Sequence, residues 1–120
     1  MIDLHCHLLP DIDDGPKDIQ TSIAMAKIAV RDGITLTACT PHIYQGLYNN
    51  TASLIKKKTY KLQRILKEKD IKLSLAFASD THIHPDLVSL IRKNEVPTFN
   101  KGRYFLLEPS HLLQWLINRN

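Results

Sequence analysis

Two histidines separated by one residue, His5 and His7, stand close to the start of the chain. Successive side chains of extended backbone alternate in direction, so residues i and i+2 face the same way and both imidazoles can reach one ion. An isolated His-x-His pair is common on protein surfaces. This one has company: His42, Asp80 and Glu108 follow at wide intervals, each at the end of a stretch with strand-like composition. Imidazole with carboxylate suits Mn, Fe or Zn, and a set so rich in oxygen and poor in thiolate argues against a structural zinc site. The turn-rich run Asp13-Asp14-Gly15 comes soon after His7, on a loop able to fold back across the same mouth.

The elements that must position these residues alternate along the chain. Met1–His5 reads as a short strand and Leu8–Pro16 as a loop dense in turn residues. Ile19, Ile23, Ala26 and Val30 recur at helical spacing, with Gly33 as the stop. Ile34–Thr40 is β-branched and predicts a second strand ended by Pro41, with His42–Asn50 a loop. Thr51 or Ser53 is placed to cap a helix running to about Lys69, with Leu54, Leu62, Ile65 and Leu66 inward. Ile71–Ser79 is the third strand, Pro85-Asp86 opens a short helix over Leu87–Arg92, Arg103–Glu108 is the fourth strand, and His111–Asn118 a final apolar helix. Strands alternating with helices predict an α/β fold, with about four parallel strands joined by right-handed crossovers. Chemistry in such folds gathers at the carboxyl ends of the strands, where this sequence delivers His5, His7, His42, Asp80 and Glu108.

Other polar residues have plainer explanations. Asp3 shares the parity of His5 and His7 and fits either a hydrogen-bond acceptor behind one imidazole or a residue buried beneath the site. Cys6 points to the opposite side by alternation and, like Cys39, reads as packing. His82 and His84 share the parity of Asp80, but Pro85 follows at once, so they are expected on a rim loop. Asp11, Asp13 and Asp18 read as turn and capping residues, His111 as an exposed residue near a helix start, and Tyr104, Phe105 and Trp115 as core. Neither cysteine has an arginine six residues on, so the chain holds no Cys-x5-Arg phosphate loop.

Composition bounds the class. The chain has 120 residues, 43% hydrophobic and 23% charged, which fits one globular domain and not a disordered segment. No apolar run approaches the ~18 residues of a membrane span, and no basic segment precedes an apolar one at the start, so neither membrane insertion nor secretion is expected. Two cysteines make no disulfide framework, in keeping with a reducing cytoplasm. The net charge of +4 is unevenly placed: residues 51–70 hold seven Lys/Arg against Glu68 and Asp70, while residues 1–20 hold five Asp against Lys17. A lysine-rich run with Tyr60 as its one aromatic reads as a solvated helix face, and no nucleic-acid partner is expected. The length also falls short of the ~200 residues a complete (β/α)8 barrel needs.

The runs MIDLHCHLLPDIDDGPK and ACTPHIYQGLY resemble the opening of bacterial polymerase-and-histidinol-phosphatase (PHP) domains, in the branch of capsular and exopolysaccharide tyrosine phosphatases. The patterns D-[IL]-H-x-H, D-D-G-P, T-P-H and L-L-E appear in that order, and the resemblance covers residues 1–108. It implies a partial (β/α) barrel of PHP type, with residues 1–120 forming the N-terminal part of the domain. It also implies a multinuclear metal centre, usually manganese, that hydrolyses phosphotyrosine on tyrosine kinases of polysaccharide export in the cytoplasm. By the same resemblance His5 and His7 bind one metal, Asp14 and His42 a separate one, Glu108 the middle one, and Asp80 stands where the family usually has a bridging Glu. The family's further ligands, a histidine and an Asp-x-His, have no counterpart before residue 120. Three alternatives follow: a catalytically inactive remnant with residual metal binding, an oligomer formed through an open sheet edge, or a PHP phosphoesterase acting on another ester such as histidinol phosphate.

Overall fold

The structure is a computed structural model that describes residues 1–110 and Asn118. Six parallel strands form two three-stranded sheets. The first sheet holds β1 (Ile2–Cys6), β2 (Leu36–Cys39) and β4 (Ser74–Phe77), in that spatial order. The second holds β3 (His42–Ile43), β5 (Asp80–His82) and β6 (Leu106–Glu108). Helices α1 (Ile19–Arg31) and α2 (Ala52–Glu68) cross between the strands, followed by a short α3 (Leu87–Arg92) and one 3-10 turn at Phe99–Lys101.

The two sheets are halves of one bent surface. The second strand, expected to end at Pro41 with His42–Asn50 a loop, resumes after Thr40-Pro41 as β3, and the third, expected to end at Ser79, breaks at Ala78-Ser79 and resumes as β5. Pro41 has no N–H to give to a neighbour, so regular pairing stops there. Backbone bonds nonetheless carry the ladder across both breaks: Thr40 N–H to Cys6 O, Ala78 N–H to Cys39 O and Asp80 N–H to Pro41 O, each at 2.9 Å. Four extended segments therefore lie side by side in chain order, as the alternating pattern predicts. The bend sets His42 beside Asp80 in register, and His82 beside Glu108.

Both long helices have the ends their sequences encode. Asp18 caps α1, accepting from the Thr21 N–H at 2.8 Å and the Thr21 hydroxyl at 2.7 Å. Gly33, at φ +88°, closes it, with Gly33 N–H to Val30 O and Ile34 N–H to Ala29 O. Thr51 caps α2 through the Leu54 N–H. Asp70 adopts the same left-handed turn at φ +58°, where glycine is the usual choice.

The core lies between these helices and the sheet, with Leu8, Leu9, Ala26, Cys39, Ile55, Leu62, Leu66 and Leu73 all at 2% exposure or less. The inward face of α2 is Ile55, Thr59, Leu62 and Leu66. Leu54, expected inward, is exposed, because the face is set one residue later by the cap at Thr51. Tyr104, expected in the core, is 78% exposed, since pairing begins only at Leu106. The expected final helix His111–Asn118, with His111 and Trp115, lies outside the described residues apart from Asn118. No helix among the described residues is long and apolar enough to cross a membrane.

Truncating Ile55 to Ala leaves a hole at a fully enclosed position and is expected to cost about 2–5 kcal/mol in urea denaturation. Leu54→Ala is expected to change stability by less than about 0.5 kcal/mol; equal losses at the two positions would contradict this assignment of the helix face. The bonds from Thr21 hold the Asp18 carboxyl below its ordinary range. That stabilisation is present above the unfolded value of about 4 and is lost as pH falls through the lower folded value. Asp18→Asn keeps an acceptor oxygen without the titration. Its stability is therefore expected to fall less than wild type's between about pH 6 and about pH 3, measured by urea midpoints at each pH.

Candidate metal centre

Each segment of the bent sheet delivers its polar side chain to the same mouth. At the end of β1 the register is irregular between Asp3 and Cys6, and Asp3 Oδ1 accepts the His5 N–H at 3.1 Å. Asp3 thus braces the backbone of the His-x-His segment and is neither behind an imidazole nor fully buried. His5 Nε2 and His7 Nε2 converge to 3.2 Å. Both face one oxygen of the buried Asp80: Oδ2 lies 3.3 Å from His5 Nε2 and 3.8 Å from His7 Nε2.

His42 uses its two ring nitrogens in different directions. Nδ1 lies 3.4 Å from Asp80 Oδ2 and 3.3 Å from Glu108 Oε2, while Nε2 lies 3.4 Å from Asp14 Oδ1. Tyr48 stacks on the far face of the His42 ring, with centroids 5.7 Å apart. Asp80 therefore sits between the His5/His7 pair and the His42/Glu108 pair. Although Asp is one methylene shorter than Glu, its Oδ2 still lies within 3.8 Å of all three imidazoles.

All six residues expected from the sequence, His5, His7, Asp14, His42, Asp80 and Glu108, come together. They form three overlapping groups, His5/His7/Asp80, His42/Asp80/Glu108 and His7/Asp13/Asp14/His42, with ligand atoms within 4.8 Å of one another in each. Nitrogen and carboxylate oxygen in these proportions, and two imidazole nitrogens aimed at one carboxylate oxygen, fit divalent cations of the Mn, Fe or Zn type.

Asp13 does more than the turn role expected of it. Expected as a turn residue, it is buried, and its Oδ2 meets His7 Nδ1 at 3.0 Å and the His42 N–H at 2.9 Å. Its Oδ1 accepts the Gly15 N–H at 2.9 Å. Burial pushes the carboxyl upward, but these bonds from His7, His42 and Gly15 outweigh it and hold the group below its usual range. The same hydrogen bond is the main reason the His7 imidazolium is held above the ordinary histidine range; partial burial opposes it, and the charges of Asp13, Asp80 and Asp14 add to it. A carboxylate behind a ligating histidine fixes its tautomer and orientation. The signal available was the pairing of Asp13 with a glycine two residues on, which alone reads as a turn.

One further expectation needs correction. His82 is not on a rim loop: it lies within β5, 8% exposed, with its ring stacked on Tyr44 at 3.8 Å, because the strand continues past Asp80. His84 does fall beyond the strand, where its Nδ1 accepts the Asp86 N–H. Cys6 and Cys39 pack as expected, half-buried and buried. Burial, with the Asp3 charge adding, pushes the Cys6 thiol up to about 11, and burial raises Cys39 as well.

The chain matches the family described as capsular polysaccharide synthesis, CpsB/CapC, over residues 1–115. The chain belongs to this family. It is 35% identical over 108 residues to the tyrosine-protein phosphatase YwqE of Bacillus subtilis, covering 90% of this chain and 42% of YwqE. It is 32% identical over 120 residues to the putative tyrosine-protein phosphatase CapC of Staphylococcus aureus, covering 99% of this chain and 47% of CapC. Its fold superposes on a crystal structure from work on YwqE of Bacillus subtilis and CpsB of Streptococcus pneumoniae, described as unique metal-dependent tyrosine phosphatases. That match has a TM-score of 0.87 at 32% identity and covers 97% of this chain and 49% of that one. The chain spans about half the length of the curated relatives it matches.

The D-D-G-P glycine of this centre is required by close approach. A Cβ on Gly15 would stand 2.8 Å from His7 O, 3.0 Å from Asp13 Oδ1 and 3.2 Å from His7 Cβ. Because the nearest atom is backbone, the strain cannot be relieved by turning a side chain. Gly15→Ala is expected to cost about 1–3 kcal/mol in thermal denaturation. A variant as stable as wild type would show that the loop is not packed against His7.

Proposed function

We propose that this chain carries the strand-end half of a metal-dependent protein-tyrosine phosphatase centre, with manganese as its metal. Its proposed substrate is phosphotyrosine on a cytoplasmic tyrosine kinase that regulates capsular or exopolysaccharide biosynthesis. The observation that carries this reading is Asp80 Oδ2, shared by His5, His7 and His42 within 3.8 Å and flanked by Glu108 and Asp14 through His42. The family match and its tyrosine-phosphatase relatives support the substrate class.

In this reading His5 and His7 would hold one cation, Asp14 and His42 a second, and Glu108 one between them, with Asp80 shared. Divalent cations so held acidify water and neutralise charge on a phosphoryl group in displacement. The protein's own part is positional. Asp13 fixes the His7 ring through Nδ1, leaving Nε2 to face Asp80. The bend at Pro41 sets His42 where its two nitrogens serve both sides. With both thiols held protonated, no cysteine intermediate is needed. The fold in this reading is the first part of a PHP-type barrel, the four parallel segments being its consecutive strands.

The experiment is manganese uptake together with hydrolysis of p-nitrophenyl phosphate and a phosphotyrosine peptide. The chain is expected to bind manganese and to release phosphate, with His42→Ala and Asp80→Asn each lowering turnover at least about 100-fold while circular dichroism stays unchanged. Manganese uptake without turnover would favour the second reading, a metal-binding portion of the family's fold without catalysis. Preference for histidinol phosphate over phosphotyrosine peptide would overturn the substrate assignment.

A further inference from the structure

Asp14 and His42 come from segments far apart in sequence, the loop after β1 and the start of β3. Both must be held for Asp14 Oδ1 and His42 Nε2 to stay 3.4 Å apart. Asn50, immediately before the cap of α2, does this with one side chain. Its Nδ2 amide donates to Ile12 O at 3.0 Å and to His42 O at 2.8 Å. The first carbonyl precedes Asp13-Asp14; the second belongs to His42 itself. His42 is thereby fixed at three points: its N–H on Asp13, its ring against Tyr48 and its carbonyl on Asn50.

We propose that Asn50 is a positioning residue for the cation held by Asp14 and His42, setting their separation by cross-linking the two segments that carry them. This rests on the reading of Asp14 and His42 as metal-holding residues. Both of these Asn50 contacts are to backbone carbonyls, so the role proposed for it is positional. It acts because a primary amide offers two donors in fixed geometry, enough to satisfy two converging carbonyls at once. The loop it grips is also tied to His42 through Asp13 Oδ2 on the His42 N–H, and from its outer side by Lys58 Nζ on Pro10 O and Asp11 O and by Ser22 Oγ on Leu8 O. Asn50 adds the link on the other side of the His42 residue, at its carbonyl.

Manganese titration by calorimetry on the full chain tests the proposal, with Asn50→Ala, Asp14→Ala and the double variant. Asn50→Ala is expected to weaken manganese affinity roughly 10–100-fold. In the Asp14→Ala background, where the separation no longer matters, the same change is expected to cost less than about twofold. Asn49 in the same loop accepts the Gly46 N–H at 2.9 Å, and Asn49→Ala is the control, expected to bind as wild type does. If Asn50→Ala fails to fold, Asn50→Gln carries the same cycle, since it keeps both donors but moves them by one methylene. Unchanged affinity in a folded Asn50 variant, or an equal loss in the Asp14→Ala background, overturns the proposal while leaving the metal reading intact. A wild-type chain that takes up no manganese overturns both.

Discussion

The buried carboxylate of Asp13 is the point on which the centre depends. One oxygen meets a ring nitrogen of His7 and the backbone of His42, and the other meets Gly15. The end of β1, the loop that follows it and the start of β3 are thereby joined by one charge, the last from 29 residues away. Burying a carboxylate is unfavourable unless donors surround it, so the centre's geometry and the stability of the fold are not separable here. A side chain that satisfies the carboxylate also orients the site.

The bent sheet supplies the other constraint. A continuous second strand would carry His42 straight on, past the end of β1. Pro41 removes one donor, the chain turns, and pairing resumes with His42 beside Asp80. The neighbouring segment breaks at Ala78-Ser79, where the Ser79 hydroxyl bonds to Thr81 and to Pro97 O. Parallel breaks in adjacent segments let both halves keep their ladders. As a result one carboxylate oxygen can be shared among three imidazoles drawn from two segments.

The basic balance of the chain stays apart from this chemistry. The lysines of α2 lie mostly on its exposed side, opposite Ile55, Thr59, Leu62 and Leu66. Lys58 is the exception, reaching across to the carbonyls of Pro10 and Asp11. A helix that looks in composition like a solvated face thus also helps hold the loop that carries Asp13 and Asp14.

Much of this was legible in the amino-acid order. Alternating periodicity, the caps at Asp18 and Thr51, and the arrival of His5, His7, His42, Asp80 and Glu108 at strand ends are local properties, read from spacing and residue type. The role of Asp13, the burial of His82, the exposure of Leu54 and Tyr104, and the clamp at Asn50 were not. Asp13 in sequence is a turn residue beside a glycine, and only the approach of β3 makes it a hub. By itself the sequence determined which ligand types reach the mouth of the sheet. Tertiary structure alone decided which carboxylate is shared and which supports, because that depends on segments separated by tens of residues meeting within hydrogen-bond distance.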